Sequence, residues 1–355
     1  MKVTPKPDMQ AARIGWAGAD LPKHGWMAVT QLVPLTDPYG MSFRMILPME
    51  FVASRAMSIF AGLVFAVSCV GCTRFQILDA TIPSCSYTRT TNLRYGHEPR
   101  QKLDVYVPRG IGDKTASVVV FFYGGDWQSG EKGDYRFVGE ALASRGFVAV
   151  LPDYRLYPDV TFPAFVEDAA KAVRWVRDNI ESFGGDPHHI FLMGHSAGAH
   201  IAMLLTLDKH YLNDAGSDPS EICATAGLSG PYDFQPPPED AAALGAKPGE
   251  TKVGPNVEPI HFVDGKEPPV LLIQGLKDTT VGPENAINLA AAIRAKGGYV
   301  EQITYPNRGH SGVVQSLAWS FRWLAPTLDD VTHFFNSMRK CGQKPSAPIA
   351  GSNRK

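Results

Sequence analysis

From about residue 102 the chain alternates short apolar runs with longer stretches in which apolar residues recur every three or four positions. Leu103-Asp104-Val105-Tyr106-Val107 alternates apolar and polar residues, which predicts a half-buried strand. Residues 117–123 form a continuous apolar run ending in Gly124-Gly125, as a central strand covered on both faces does. Further strands are predicted at 147–151, 190–193, 225–228, 270–274 and 300–305. A helix is expected over 131–145, closed by Gly146. Ala169, Val173, Val176 and Ile180 mark one face of a second helix, which stops at Gly184-Gly185 before an Asp186-Pro187 turn. A third helix begins directly after Met193, a fourth spans 283–296, and a fifth runs from Val313 to about Arg339 with a break at Pro326. Strands that alternate with helices predict an α/β fold: a mostly parallel central sheet with helices on both faces. In such sheets ligands bind beyond the carboxyl ends of the strands, here the loops near 123, 151, 194, 229, 275 and 306. The stretch Asp233–Pro269 has little periodicity and includes Pro236-Pro237-Pro238, which predicts a short cap or loop insertion over the site.

The N-terminal part reads differently. Residues 1–55 are Pro-containing, with scattered Met and no sustained periodicity, which predicts a poorly ordered segment or an over-extended start. Residues 56–73 carry no charge and lie between Arg55 and Arg74, the pattern of a secretory signal or anchor. Val70-Gly71-Cys72 resembles the end of a bacterial lipoprotein cleavage site, although Cys69 stands where such sites carry Leu. A start at Met41, Met45, Met49 or Met57 gives the signal a conventional length. The expected plan is a signal or anchor at 56–73, a catalytic domain at 90–340 and a flexible tail at 341–355. The expected location is outside the cytoplasm or at a membrane, as an exported protein or bacterial lipoprotein; a cytoplasmic protein is the alternative.

Composition removes several other classes. The 355 residues carry 34 Lys plus Arg against 35 Asp plus Glu, and no basic run, so there is no nucleic-acid footprint. No CxxC pair is joined by a second pair or a His cluster, so no zinc module is expected. With 44% apolar residues the chain can bury a large core. Of the five cysteines, Cys85 and Cys341 flank the main domain and form the candidate disulfide of an exported protein, whereas Cys223 reads as a small buried hydrophobe.

The candidate chemistry centres on Gly194-His195-Ser196-Ala197-Gly198, a G-x-S-x-G set between an apolar strand and an apolar helix. That turn is tight enough to require glycines on both sides, and it places Ser196 at a helix N-terminus, where developing negative charge is favoured. A serine hydroxyl needs a base to take its proton. His310, after the last strand, is the candidate base, and Asp278, in the loop after the preceding strand, is the candidate acid that orients it. The chain order Ser, Asp, His is the one this architecture uses. Asp264 lies before its strand and Asp233 one unit too early, so both are weaker candidates. Ala197, right after the nucleophile, and Gly124 and Gly125, after the second apolar strand, are candidate oxyanion donors.

Taken together, these motifs make the chain similar to the α/β-hydrolase superfamily. Within it the chain most resembles the carboxylesterase branch that holds hormone-sensitive-lipase-like and feruloyl-esterase-like enzymes, prenylcysteine methylesterases and kynurenine formamidases. The resemblance rests on residues 101–106, Gly124-Gly125 with Trp127, Asp153-Tyr154-Arg155-Leu156, Gly184-Gly185-Asp186-Pro187, the elbow, residues 229–233, Pro268-Pro269, and the Asp278 and His310 motifs. It implies a serine hydrolase that cleaves small carboxylic esters through an acyl-enzyme, with no cofactor. The alternatives are an arylformamidase or other amide hydrolase with the same triad, and a non-catalytic binding protein on the same scaffold. One departure stands out: Tyr123 replaces the His that usually opens the oxyanion loop. It implies either a loop shaped by the tyrosine hydroxyl or a narrowed site.

Overall fold

A computed structural model of the chain describes Ile82, Ser86–Gly110, Thr115–Lys247, residues 249–338 and Cys341, all within the compact unit Val67–Lys355. The signal or anchor at 56–73, Cys85 and the tail beyond Cys341 lie outside the described residues. Eight strands form one sheet: β1 (Tyr87–Arg94), β2 (Lys102–Pro108), β3 (Ala116–Phe122), β4 (Val148–Pro152), β5 (Gly185–His195), β6 (Ile222–Leu228), β7 (Val270–Gly275) and β8 (Val300–Tyr305). Their order is β1-β2-β4-β3-β5-β6-β7-β8. The β1–β2 and β2–β4 pairs are antiparallel and the others parallel, so the α/β class with a mostly parallel sheet holds.

Helices separate the parallel strands: α1 (Arg136–Ala143), α2 (Ala164–Asn179), α3 (Ala197–Leu207), α4 (His210–Asp214), α5 (Pro238–Ala241), α6 (Glu284–Ala295), α7 (His310–Gln315) and α8 (Thr327–Ser337). The central strands read as continuous apolar runs because both of their faces are covered. Val118 to Phe122, Val148 to Leu151 and Leu271 to Leu272 have no solvent exposure. α2 buries Val166, Ala169, Val173 and Val176 at helical spacing. Every residue of α3 is buried. A helix that is apolar all round belongs in a core, and this one carries the elbow serine on its N-terminal end.

Two buried carboxylates tie the loops to this frame. Asp104 accepts hydrogen bonds from Arg89 on the edge strand and from the Asn92 N–H. Asp168 of α2 accepts two hydrogen bonds from the Arg155 guanidinium and one from Gln101 Nε2, locking the segment after β4 against the start of β2. A fork-to-carboxylate pair of this kind fixes geometry as well as charge.

Four expectations need correction. An edge strand, β1, precedes the first predicted one. The residues from 310 to 337 form two helices rather than one interrupted helix from 313. α7 starts at His310 itself, and Ser316 Oγ meets Thr327 Oγ1 at 2.6 Å where the chain folds back. Pro326, with no N–H to give, then starts α8. The Asp186-Pro187 turn lies within β5, as an excursion between the Ala116↔Gly185 and Val118↔Ile190 pairings. Finally, Cys341 pairs with Cys223, not Cys85. Cys223 stands near the start of β6, and the chain leaving α8 returns to that end of the sheet, bringing the two Cα atoms to 4.2 Å. The candidate tail is therefore fastened at its first residue.

Candidate active site

The position of Ser196 is set by packing. β5 ends at His195 and α3 begins at Ala197, which leaves Ser196 alone in the turn with φ of 55°. Positive φ on a non-glycine residue is strained and persists only where the surroundings enforce it. A Cβ on Gly194 would lie 2.2 Å from the Gly198 carbonyl oxygen, and one on Gly198 would lie 2.1 Å from that of Phe122. Both glycines are thus required by backbone contact. Ser196 N–H donates to the Leu228 carbonyl, which pins the turn to the end of β6.

Ser196 Oγ lies 2.8 Å from His310 Nε2, and His310 Nδ1 lies 2.9 Å from Asp278 Oδ2. The structure therefore brings the three candidate residues into one hydrogen-bonded line. The loops that carry the last two are stitched together: Lys277 N–H donates to the Arg308 carbonyl and Leu276 N–H to that of Tyr305. Asp278 also accepts hydrogen bonds from the N–H groups of Thr280 and Val281 and from Gln274 Nε2. Burial works to raise its pKa, but His310 and the backbone donors outweigh it and hold the carboxyl below its ordinary value. Gln274 was not among the predicted residues. Its only sequence signal is a polar side chain at the end of an apolar strand, and it is fully buried with its amide given to Asp278 and the Val281 carbonyl. The rival acids lie elsewhere: Asp233 is held by Asn288, and Asp264 pairs with Lys209.

The candidate oxyanion residues divide. Ala197 is the first residue of α3, so its N–H has no partner within the helix. Gly124 packs against Ser196, since a Cβ there would stand 2.9 Å from Ser196 Cβ. Its backbone also meets the buried Tyr135 hydroxyl. Gly125 follows with φ of 131°, and its carbonyl accepts from the Gln128 and Ser129 N–H groups. Tyr123 points away from the site. Its ring stacks on Tyr154 with centroids 4.6 Å apart, and its hydroxyl accepts from Arg100. Tyr154 in turn donates to the Tyr123 carbonyl. The tyrosine thus shapes the loop through its hydroxyl and does not narrow the cavity.

That cavity, of about 670 Å³, opens at Ser196 and Ala197 and is walled by Trp127, Pro231, Phe234 and Val281. It lies beyond the carboxyl ends of the strands, and residues 233–240 of the insertion line it. His200, inside α3, donates from Nε2 to the Val257 carbonyl of that insertion at 2.7 Å. Burial pushes the His200 pKa down to about 4 and the His195 pKa down to about 3, the latter aided by neighbouring His310. Neutral His200 is therefore the donor to Val257. Both groups bind a proton in the unfolded chain, near pH 6.5, well before they do so in the folded one. Stability is therefore full above about pH 6.5 and falls as the pH drops towards 4. From pH 7 to pH 5 the expected loss is about 2 kcal/mol per buried histidine. Urea denaturation at the two pH values measures it. His200→Gln, which keeps a donor but cannot titrate, should remove about half of the loss; equal stability at both pH values would contradict the assignment.

Comparison with protein families matches residues 103–293 to the BD-FAE profile. Among curated proteins, the chain is 34% identical over 236 residues to an isoprenylcysteine alpha-carbonyl methylesterase of Arabidopsis thaliana, covering 61% of this chain and 55% of the relative. It is 32% identical over 259 residues to esterase LipC of Mycobacterium tuberculosis, covering 65% and 63%. The chain thus spans between about half and two thirds of the length of these relatives. Among solved structures, a truncated carbohydrate esterase from gut microbiota aligns with a TM-score of 0.64 at 22% identity, over 72% of this chain and 98% of that one. The propionate-bound esterase 2 of Thermogutta terrifontis aligns with a TM-score of 0.58 at 25% identity, over 74% and 98%.

Proposed function

The chain belongs to the BD-FAE family, and from that premise we propose that it is a serine carboxylesterase acting on small carboxylic esters. One observation carries the reading: Ser196, His310 and Asp278 stand in a single hydrogen-bonded line at the mouth of a cavity of about 670 Å³. In this reading Ser196 Oγ attacks the ester carbonyl while His310 Nε2 takes its proton. Asp278 holds the ring with Nδ1 protonated and stabilises the imidazolium. The carbonyl oxygen, now negative, is met by the N–H of Ala197 and that of Gly125, with Gly124 as the side-chain-free spacer that lets the loop approach. Collapse expels the alcohol with the proton from His310 and leaves an acyl group on Ser196. Water, deprotonated by His310, then releases the acid and restores the serine. A series of p-nitrophenyl esters from acetate to laurate, run beside an arylformamide, tests the substrate class. Turnover of the short esters is expected to exceed that of the formamide by at least about tenfold. A formamide turned over faster than every ester would overturn the ester reading.

We propose in addition that the protein is exported or membrane-anchored through residues 56–73. The Cys223–Cys341 bond supports this, because disulfides persist in oxidising compartments. Recovery of the protein solely from the cytoplasmic fraction, with both thiols free, would overturn it.

A further inference from the structure

The cavity is one-signed. Asp126, Asp233, Glu239, Asp240 and Glu284 line it, and no Lys, Arg or His does. None of the five is in an ion pair among the described residues. This is not the by-product of an acidic protein, since the whole chain balances 34 basic residues against 35 acidic ones. Three of the carboxylates crowd one another: burial, then Asp126 and Glu239, push the Asp240 pKa up to about 6, against a hydrogen bond from Gln128 that works to lower it. A cation entering the cavity relieves that repulsion.

The apolar part of the wall suits the same ligand. Trp127 and Phe234 lie with ring planes 11° apart and centroids at 6.2 Å. Trp and Phe faces attract alkylammonium groups, more strongly where water is thinned out. Trp127 is 3% exposed and stacks on both Phe165 and Phe234, so the ring that meets a ligand is that of half-buried Phe234. The site therefore offers an aromatic ring and a cluster of negative charge within one cavity that opens on Ser196.

From this we infer that the preferred substrate is an ester whose alcohol carries a positive charge, an alkylammonium or quaternary ammonium group seated between Phe234 and the carboxylates of the 233–240 segment. The inference rests on the esterase reading for its turnover arm and stands apart from it in its binding arm. A cleft lined by charge of one sign raises the local concentration of the opposite ion and loses that effect in salt.

The test compares acetylcholine with its neutral carbon isostere, 3,3-dimethylbutyl acetate. For the full chain at low ionic strength, kcat/KM is expected to favour the cation by about tenfold, falling towards parity at about 1 M NaCl. In the Glu239→Gln, Asp240→Asn double variant the ratio is expected to fall at least about fivefold. In parallel, calorimetry measures binding of phenyltrimethylammonium to both proteins, which should be weakened by the same substitutions and by salt. Cation binding with these dependences but no ester turnover would uphold the cation site and sink the esterase reading. Turnover of the neutral ester at a ratio of one or below would overturn the cation site and leave the esterase intact.

Discussion

Replacing Ser196 by alanine is expected to lower ester turnover by about 10⁴-fold or more, while leaving the fold in place. Among the described residues Ser196 Oγ has one hydrogen-bond partner, His310 Nε2, and that bond does not hold the sheet together. The turn is held by backbone contacts instead: the Ser196 N–H to Leu228, and the Ala199 and His200 N–H groups to the Ser196 carbonyl. Alanine leaves all of these unchanged. Steady-state kinetics on p-nitrophenyl acetate reads the loss, and urea denaturation reads the stability. Activity within tenfold of the parent enzyme, with stability unchanged, would remove Ser196 from the reaction.

The second large effect concerns Asp278. Asp278→Asn is expected to lower kcat by about 10⁴-fold. The carboxylate fixes the His310 tautomer, with Nδ1–H towards Asp278 and Nε2 free to accept from Ser196. An amide can satisfy the same position with its N–H₂, which turns the ring's proton to Nε2 and leaves it unable to act as base. Asp278 Oδ1 also accepts the Thr280 and Val281 N–H groups, so the variant should lose some stability as well. Separating the two requires kinetics at a temperature where both proteins are folded. Repositioning alone predicts that kcat falls with little change in KM, whereas a collapsed loop predicts that both change. A variant whose kcat stays within a factor of ten would show that the acid lies elsewhere.

Much of this architecture is legible in the chain because the central strands are covered on both faces and read as unbroken apolar runs. The elbow is legible for a steric reason, since Gly194 and Gly198 face carbonyl oxygens at distances that exclude a side chain. His310 and Asp278 follow from topology, as the loops after two adjacent parallel strands must open at the same end of the sheet. The features that escape sequence reading depend on tertiary contacts. β1 has only Tyr87 buried and is rich in Thr and Arg, so an edge strand with one neighbour leaves little apolar periodicity. The Cys223–Cys341 bond joins positions 118 residues apart, and nothing local to either cysteine marks its partner. Gln274 looks like any polar strand end until the fold places it beside Asp278. The cavity carboxylates come from Asp126, the 233–240 segment and Glu284, three separate stretches of chain whose combined charge appears only when the loops converge.

The central claim is that Ser196 is an activated nucleophile. A fluorophosphonate probe reports this directly, because it phosphonylates a serine only where a base has activated it and an oxyanion site holds the forming charge. Intact-protein mass and peptide mapping after brief labelling are expected to give one adduct per chain, on the peptide containing Ser196, and labelling should be slowed by orders of magnitude in Asp278→Asn. Folded protein that takes up no probe, or takes it up on a different serine, would contradict the account.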